Sequence, residues 1–174
     1  MMKLLLLSLF NLFVLGAFSQ GDYPVPPETE HQLFYIQHSK NHNTYVYDAN
    51  FERGQKICDK DPVRIYRILY TEGGIRKELT NVQRKLAYGL RTQKIADNCY
   101  EMNLVSYPGI KLFLRQTHEG KVFVETIINR QTIILKRLFL KTQEGLSDLR
   151  TKLEYIMIYG KDHAGNHVAL KHIP

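Results

Sequence analysis

A chain of 174 residues with 44% hydrophobic and 24% charged side chains is too apolar to be disordered and of a length that one core can serve. Its formal charge of +7 suits an anionic partner. The cations do not gather on one face, however, so no nucleic-acid groove is expected.

Residues 1–19 carry one cation, Lys3, then an apolar run from Leu4 to Phe18 that closes on Ala17-Phe18-Ser19. This is the pattern of a secretory signal peptide cleaved after Ser19, which leaves Gln20 as the mature terminus. The run is shorter than the roughly 20 residues of a spanning helix, and no later stretch is long enough to cross a bilayer. The expected location is therefore periplasmic or extracellular. Residues 20–31, with Pro24, Pro26 and Pro27, read as a proline-rich extended tether before a single domain over 32–174.

Runs rich in Val, Ile, Tyr and Phe then predict strands at Leu33–Gln37, Thr44–Tyr47, Val63–Tyr70, Cys99–Tyr107, Ile110–Thr117, Val122–Ile128, Thr132–Lys141, Leu153–Tyr159 and Val168–Ile173. Turn signals at Glu72-Gly73-Gly74, Tyr107-Pro108-Gly109, Glu119-Gly120 and Ala164-Gly165-Asn166 separate several of them. Tyr100, Met102 and Leu104 alternate with Glu101 and Asn103, giving one buried and one wet face. The runs 132–141 and 153–159 are apolar on both faces and predict central, covered strands. One helix is expected over Asn81–Tyr88, with Thr80 and Gln83 forming a capping box and Gly89 as the stop. The fold class is all-β, a mainly antiparallel sandwich or barrel with one short α-helix.

Cys58 and Cys99 are the two cysteines. Export would allow a disulfide between them, worth about 4 kcal/mol in the chain-entropy model. Two free thiols remain the open alternative, because bonding demands a specific geometry. The pairs His38/His42 and His163/His167 lack further ligands at zinc-site spacing, so no metal is expected.

The polar loop Ser39-Lys40-Asn41-His42-Asn43-Thr44 could read a sugar or headgroup through Ser39, Asn41 and Asn43, or could satisfy its own backbone as a turn. Tyr47 offers a stacking ring. Arg84 and Tyr88, four apart on the predicted helix, could offer a cation beside an aromatic ring or form a solvent-facing Arg over a packed Tyr. Asp48, Glu52, Asp59 and Asp61 are the candidate acids of a small hydrolase, and otherwise solubilise a loop. No nucleophile elbow, zincin helix or phosphate loop occurs, and no cofactor is implied.

The stretches Leu33-Phe34-Tyr35-Ile36-Gln37-His38-Ser39-Lys40-Asn41 through Tyr47, Asp61-Pro62-Val63 with Tyr66, and Gln83-Arg84-Lys85-Leu86-Ala87-Tyr88-Gly89 together resemble a family of small exported bacterial proteins. That family is catalogued as a domain of unknown function, number four-eight-three-three. The resemblance covers about Gln32 to His172 and implies export and one domain, with no activity or cofactor to transfer. His38 and Arg67 stand where the family pattern has an arginine and a tryptophan. The expected function is a non-enzymatic binding or structural module of the cell envelope that meets a lipid, glycan or protein. The alternative is a small hydrolase acting on envelope polysaccharide or lipid.

Overall fold

The computed structural model describes residues 23–52, 56–143 and 152–174. The expected signal peptide lies outside the described residues. Among the described residues eleven strands form one curled sheet: β1 (Gln32–His38), β2 (Asn41–Ala49), β3 (Val63–Leu69), β4 (Ile75–Glu78), β5 (Leu90–Ala96), β6 (Cys99–Leu104), β7 (Tyr107–Gln116), β8 (Val122–Ile128), β9 (Gln131–Thr142), β10 (Leu153–Lys161) and β11 (His167–His172). Helix α1 spans Asn81–Leu86. The class read from the sequence holds, and the sheet takes the form of a half-barrel.

Strand order along the sheet is β4-β3-β2-β1-β9-β8-β7-β6-β5, with β10 and β11 added beyond β9. Strand β9 is the branch point. Its first residues pair with β8 and the later ones, Arg137–Leu140, run parallel to β1, while the opposite edge pairs with β10. The β1–β9 pair is parallel and every other pair is antiparallel. A register shift opposite Gly160 lets β9 bend where it changes neighbours. Only glycine fits there, since a Cβ on residue 160 would come within 2.1 Å of the Ile134 carbonyl oxygen.

The two ends of the strand path, β4 and β5, are consecutive in the chain. Curling brings both wings onto one core that includes Phe34, Ile36, Tyr47, Ile65, Met102, Leu112, Val124, Leu135 and Ile158. The connection 79–89, which contains α1, joins the two edge strands across an unpaired seam. Its capping box forms as expected: Thr80 Oγ1 accepts from the Gln83 amide and Gln83 Oε1 accepts from the Thr80 amide. The helix ends two residues earlier than predicted, and none of its residues is buried. Gly89 is obligatory, because a Cβ would lie 1.9 Å from the Arg84 carbonyl oxygen.

Three sequence expectations change. Strands β4 and β5 had no apolar pattern to reveal them, since both are exposed edge strands rich in charge. Pro108 and Gly109 lie inside β7, where a register shift absorbs them, and the β6–β7 turn falls at residues 105–106. The described part of the proline-rich segment, residues 23–31, has neither helix nor strand, yet it is packed. Pro26 is buried, Tyr23 meets the Phe139 ring edge-on at 5.0 Å, and Gln37 Nε2 donates to the Pro24 carbonyl at 2.8 Å.

Candidate functional site

Alternation on β1 and β2 fixes what faces the interior. Phe34, Ile36 and His38 share one face of β1, and Tyr45 and Tyr47 share the same face of β2, because Ile36 pairs with Tyr45. Arg67 on β3 stands directly across from Tyr45, and Lys77 on β4 across from Arg67. Deeper in the same row, Phe34 and Tyr47 stack at 4.3 Å and are fully buried.

The seam connection closes over this row. Tyr47 donates its hydroxyl proton to the Tyr88 carbonyl at 2.7 Å, and the Tyr88 ring stacks on Tyr45 at 3.4 Å between centroids. The Tyr45 and Tyr88 hydroxyls also hydrogen-bond to each other, and burial raises the pKa of both. His38 lies about 6 Å from both rings, 6.0 Å from Tyr45 and 6.1 Å from Tyr88. The segments that carried the family resemblance, 33–47 and 83–89, therefore meet at one place.

His38 is the least expected member of the group. It is 6% exposed, and burial, aided by the nearby Lys40 charge, pushes its pKa down to about 4. The imidazole is thus neutral near pH 7. Its Nδ1 accepts from the Lys40 amide at 3.3 Å, which places the remaining ring proton on Nε2. That Nε2 is buried without a hydrogen-bond partner, as is Nε of the half-buried Arg67. An orphaned buried donor costs about 1–3 kcal/mol. Two such donors beside one aromatic pair mark a polar site inside an otherwise apolar core.

Of the residues expected at a site, Tyr47 and Tyr88 come together, as anchor and cover. Arg84 is exposed on α1, and Tyr88 takes Tyr45 rather than Arg84 as its ring partner. Ser39 ties the β1–β2 hairpin to β9, its Oγ accepting from the Thr142 amide at 3.1 Å and meeting Thr142 Oγ1 at 3.2 Å. Asn41 Oδ1 accepts from the Asn43 amide at 2.9 Å, the local bond of a turn, while Asn43 Oδ1 is buried without a partner. Sequence reasoning missed Tyr45, His38 and Arg67 as a group. The available signal was the period-two phase that puts His38 with Phe34 and Ile36.

Cys58 and Cys99 are free thiols. The faces of β6 explain why. Cys99 pairs with Arg115 across the sheet and its Sγ accepts from Arg115 Nη1 at 3.5 Å, on the face opposite to Tyr100. Cys58 instead lies on the Tyr100 side, next in sequence to Asp59, which hydrogen-bonds the Tyr100 hydroxyl. The candidate acids are likewise divided. Asp48 faces outward toward Tyr66 and Thr29 with its pKa raised by burial. Asp59 is exposed beside Tyr100, where hydrogen bonds from Tyr100 and then Lys94 lower its pKa. They cannot act as a pair.

At the other ends of β1 and β2 lies an open cleft of about 710 Å³, lined by Glu28, Glu30, His31, Phe51, Glu52, Glu119 and Lys136 among others. Its four carboxylates are all exposed. On the outer sheet face, Glu125, 7% exposed, accepts from Arg115 Nε at 2.7 Å and contacts His163 Nε2 at 3.0 Å. Among the described residues no group of three or more His, Cys, Asp or Glu could hold a metal ion, and no helix is long and apolar enough to cross a membrane.

No curated protein and no solved structure matches this chain. One family model does, over residues 34–171, a span that takes in the whole Tyr45–Tyr88 group and both wings of the sheet. The chain therefore belongs to the family described as Domain of unknown function (DUF4833).

Proposed function

We propose that this is an exported, non-enzymatic binding module of the cell envelope that meets an anionic lipid surface through the seam of its half-barrel. The observation that carries the reading is the composition of the seam connection. Val82 and Leu86, four apart and so on one helix face, are 65% and 72% exposed on α1, beside exposed Arg84 and Lys85. No acidic residue occurs from Leu79 to Ala96. Apolar side chains flanked by cations are what an anionic membrane interface attracts, with each cation near the surface contributing about 1 kcal/mol.

Co-sedimentation with phosphatidylglycerol vesicles, compared with phosphatidylcholine vesicles, tests this. Binding to the first at low salt, lost in V82S/L86S and weakened in R84Q/K85Q, is the expected result. Equal binding to both vesicle types, or to neither, sinks the reading. Export is checked separately by the N-terminal sequence of the secreted chain, expected to begin at Gln20.

A hydrolase remains as the second reading because the open cleft gathers Glu28, Glu30, Glu52 and Glu119 around the His31–Phe51 ring contact at 4.8 Å. Carboxylates over an aromatic floor suit a sugar chain. Release of soluble fragments from envelope polysaccharide, abolished by E52Q or E119Q, would establish it in place of the first.

A further inference from the structure

Beneath the seam surface, two hydrogen-bond donors lack acceptors. The His38 Nε2–H is buried and unpartnered, and so is the Arg67 Nε–H. They flank the stacked Tyr45–Tyr88 pair from different strands, His38 at the end of β1 and Arg67 opposite Tyr45 on β3. The charges that act on this group are cations: Lys40 on His38 and Arg67 on Tyr45. Lys77, next to Arg67 in register, has Glu72 as its partner at 2.7 Å. A neutral imidazole donor and a guanidinium, each placed beside the same pair of phenols in a low-dielectric setting, are matched by one kind of ligand group, an anion rich in acceptor oxygens.

We propose that His38 and Arg67, covered by Tyr88, hold a phosphate-type oxyanion, either a lipid headgroup or a free phosphate compound. This deepens the reading of the seam as the binding surface. Tyr88 is half-buried and belongs to a connection whose helix buries nothing, so the seam is the way in. His38 Nε2–H gives a directional hydrogen bond without adding charge, Arg67 supplies the counter-charge, and the hydroxyls of Tyr45 and Tyr88 border the same anion.

The test is calorimetric titration of the full chain with inorganic phosphate at constant ionic strength. Saturable binding is expected, weakened roughly tenfold or more by His38→Phe, which keeps a ring in place but deletes the donor, and by Arg67→Gln. Arg67 is half-buried, so its variant carries the test if His38→Phe does not fold. Phosphatidylglycerol vesicles that displace phosphate identify a headgroup as the source. Phosphate binding without such displacement keeps the oxyanion site and assigns it to a soluble ligand, so the lipid reading of the seam fails alone. The proposal is overturned if phosphate gives no more heat than matched chloride, or if the folded variants bind phosphate as tightly as the parent chain.

Discussion

The two ends of strands β1 and β2 use polar side chains in opposite ways. At the seam end, His38 and Arg67 keep donors unsatisfied within a stack of tyrosines. At the far end, Glu28, Glu30, Glu52 and Glu119 stand in an open cleft where water satisfies them. Burial is what separates the two: a polar group in water is interchangeable with its neighbours, whereas a buried one must be matched or bears a cost. The seam end should therefore respond sharply to substitution and to pH, and the far end should respond weakly.

The largest effect is expected from removing the anchor of the seam end. Tyr47→Ala takes a fully buried ring out from between Phe34 and the seam connection, and chemical denaturation should show a loss of about 4 kcal/mol. Next comes pH. His38 has a pKa of about 4 in the folded chain against an ordinary value of 6.5, so the unfolded chain takes up the proton first as pH falls. Stability is undiminished above about 6.5 and is lost on descent toward about 4, by roughly 3 kcal/mol in total. His38→Phe should flatten that part of the stability profile measured against Lys40, Tyr45 and Tyr88, the groups that face His38. A flat acid limb in the parent chain would remove the contrast between the two ends.

A smaller effect is expected from Tyr47→Phe. It deletes the hydroxyl that reaches the Tyr88 carbonyl at 2.7 Å, and urea melts should lose about 1 kcal/mol. The smallest belongs to the far end. Glu52→Gln and Glu119→Gln remove exposed charges from the cleft, and each should change stability by less than about 0.5 kcal/mol. A larger loss at the far end than at Tyr47 would reverse the comparison.

Strands with a buried face were legible because burial writes a period of two into the sequence. Tyr100, Met102 and Leu104 are buried as their alternation with Glu101 and Asn103 implies. Strand β9, apolar on both faces, proved to be the centre of the sheet, and Thr80 and Gln83 announced α1 through a bond that spans only three residues. Strands β4 and β5 were illegible for the complementary reason: an edge strand in water has no face to encode. The site was legible only in part. Tyr47 and Tyr88 were singled out, but nothing local to His38 or Arg67 says that a tyrosine from another strand covers them.

By itself, the sequence determined an all-β domain with a capped short helix, its family, and which residues face inward in strands with a buried face such as β6, since all of these follow from neighbours a few positions apart or from a pattern repeated along the chain. Tertiary structure alone decided that β9 serves three partners, that β4 and β5 end the sheet on either side of a seam, that the two cysteines stand on opposite faces of β6, and that two orphaned donors meet a stacked tyrosine pair. Those outcomes depend on contacts between residues tens of positions apart, which local propensity does not specify.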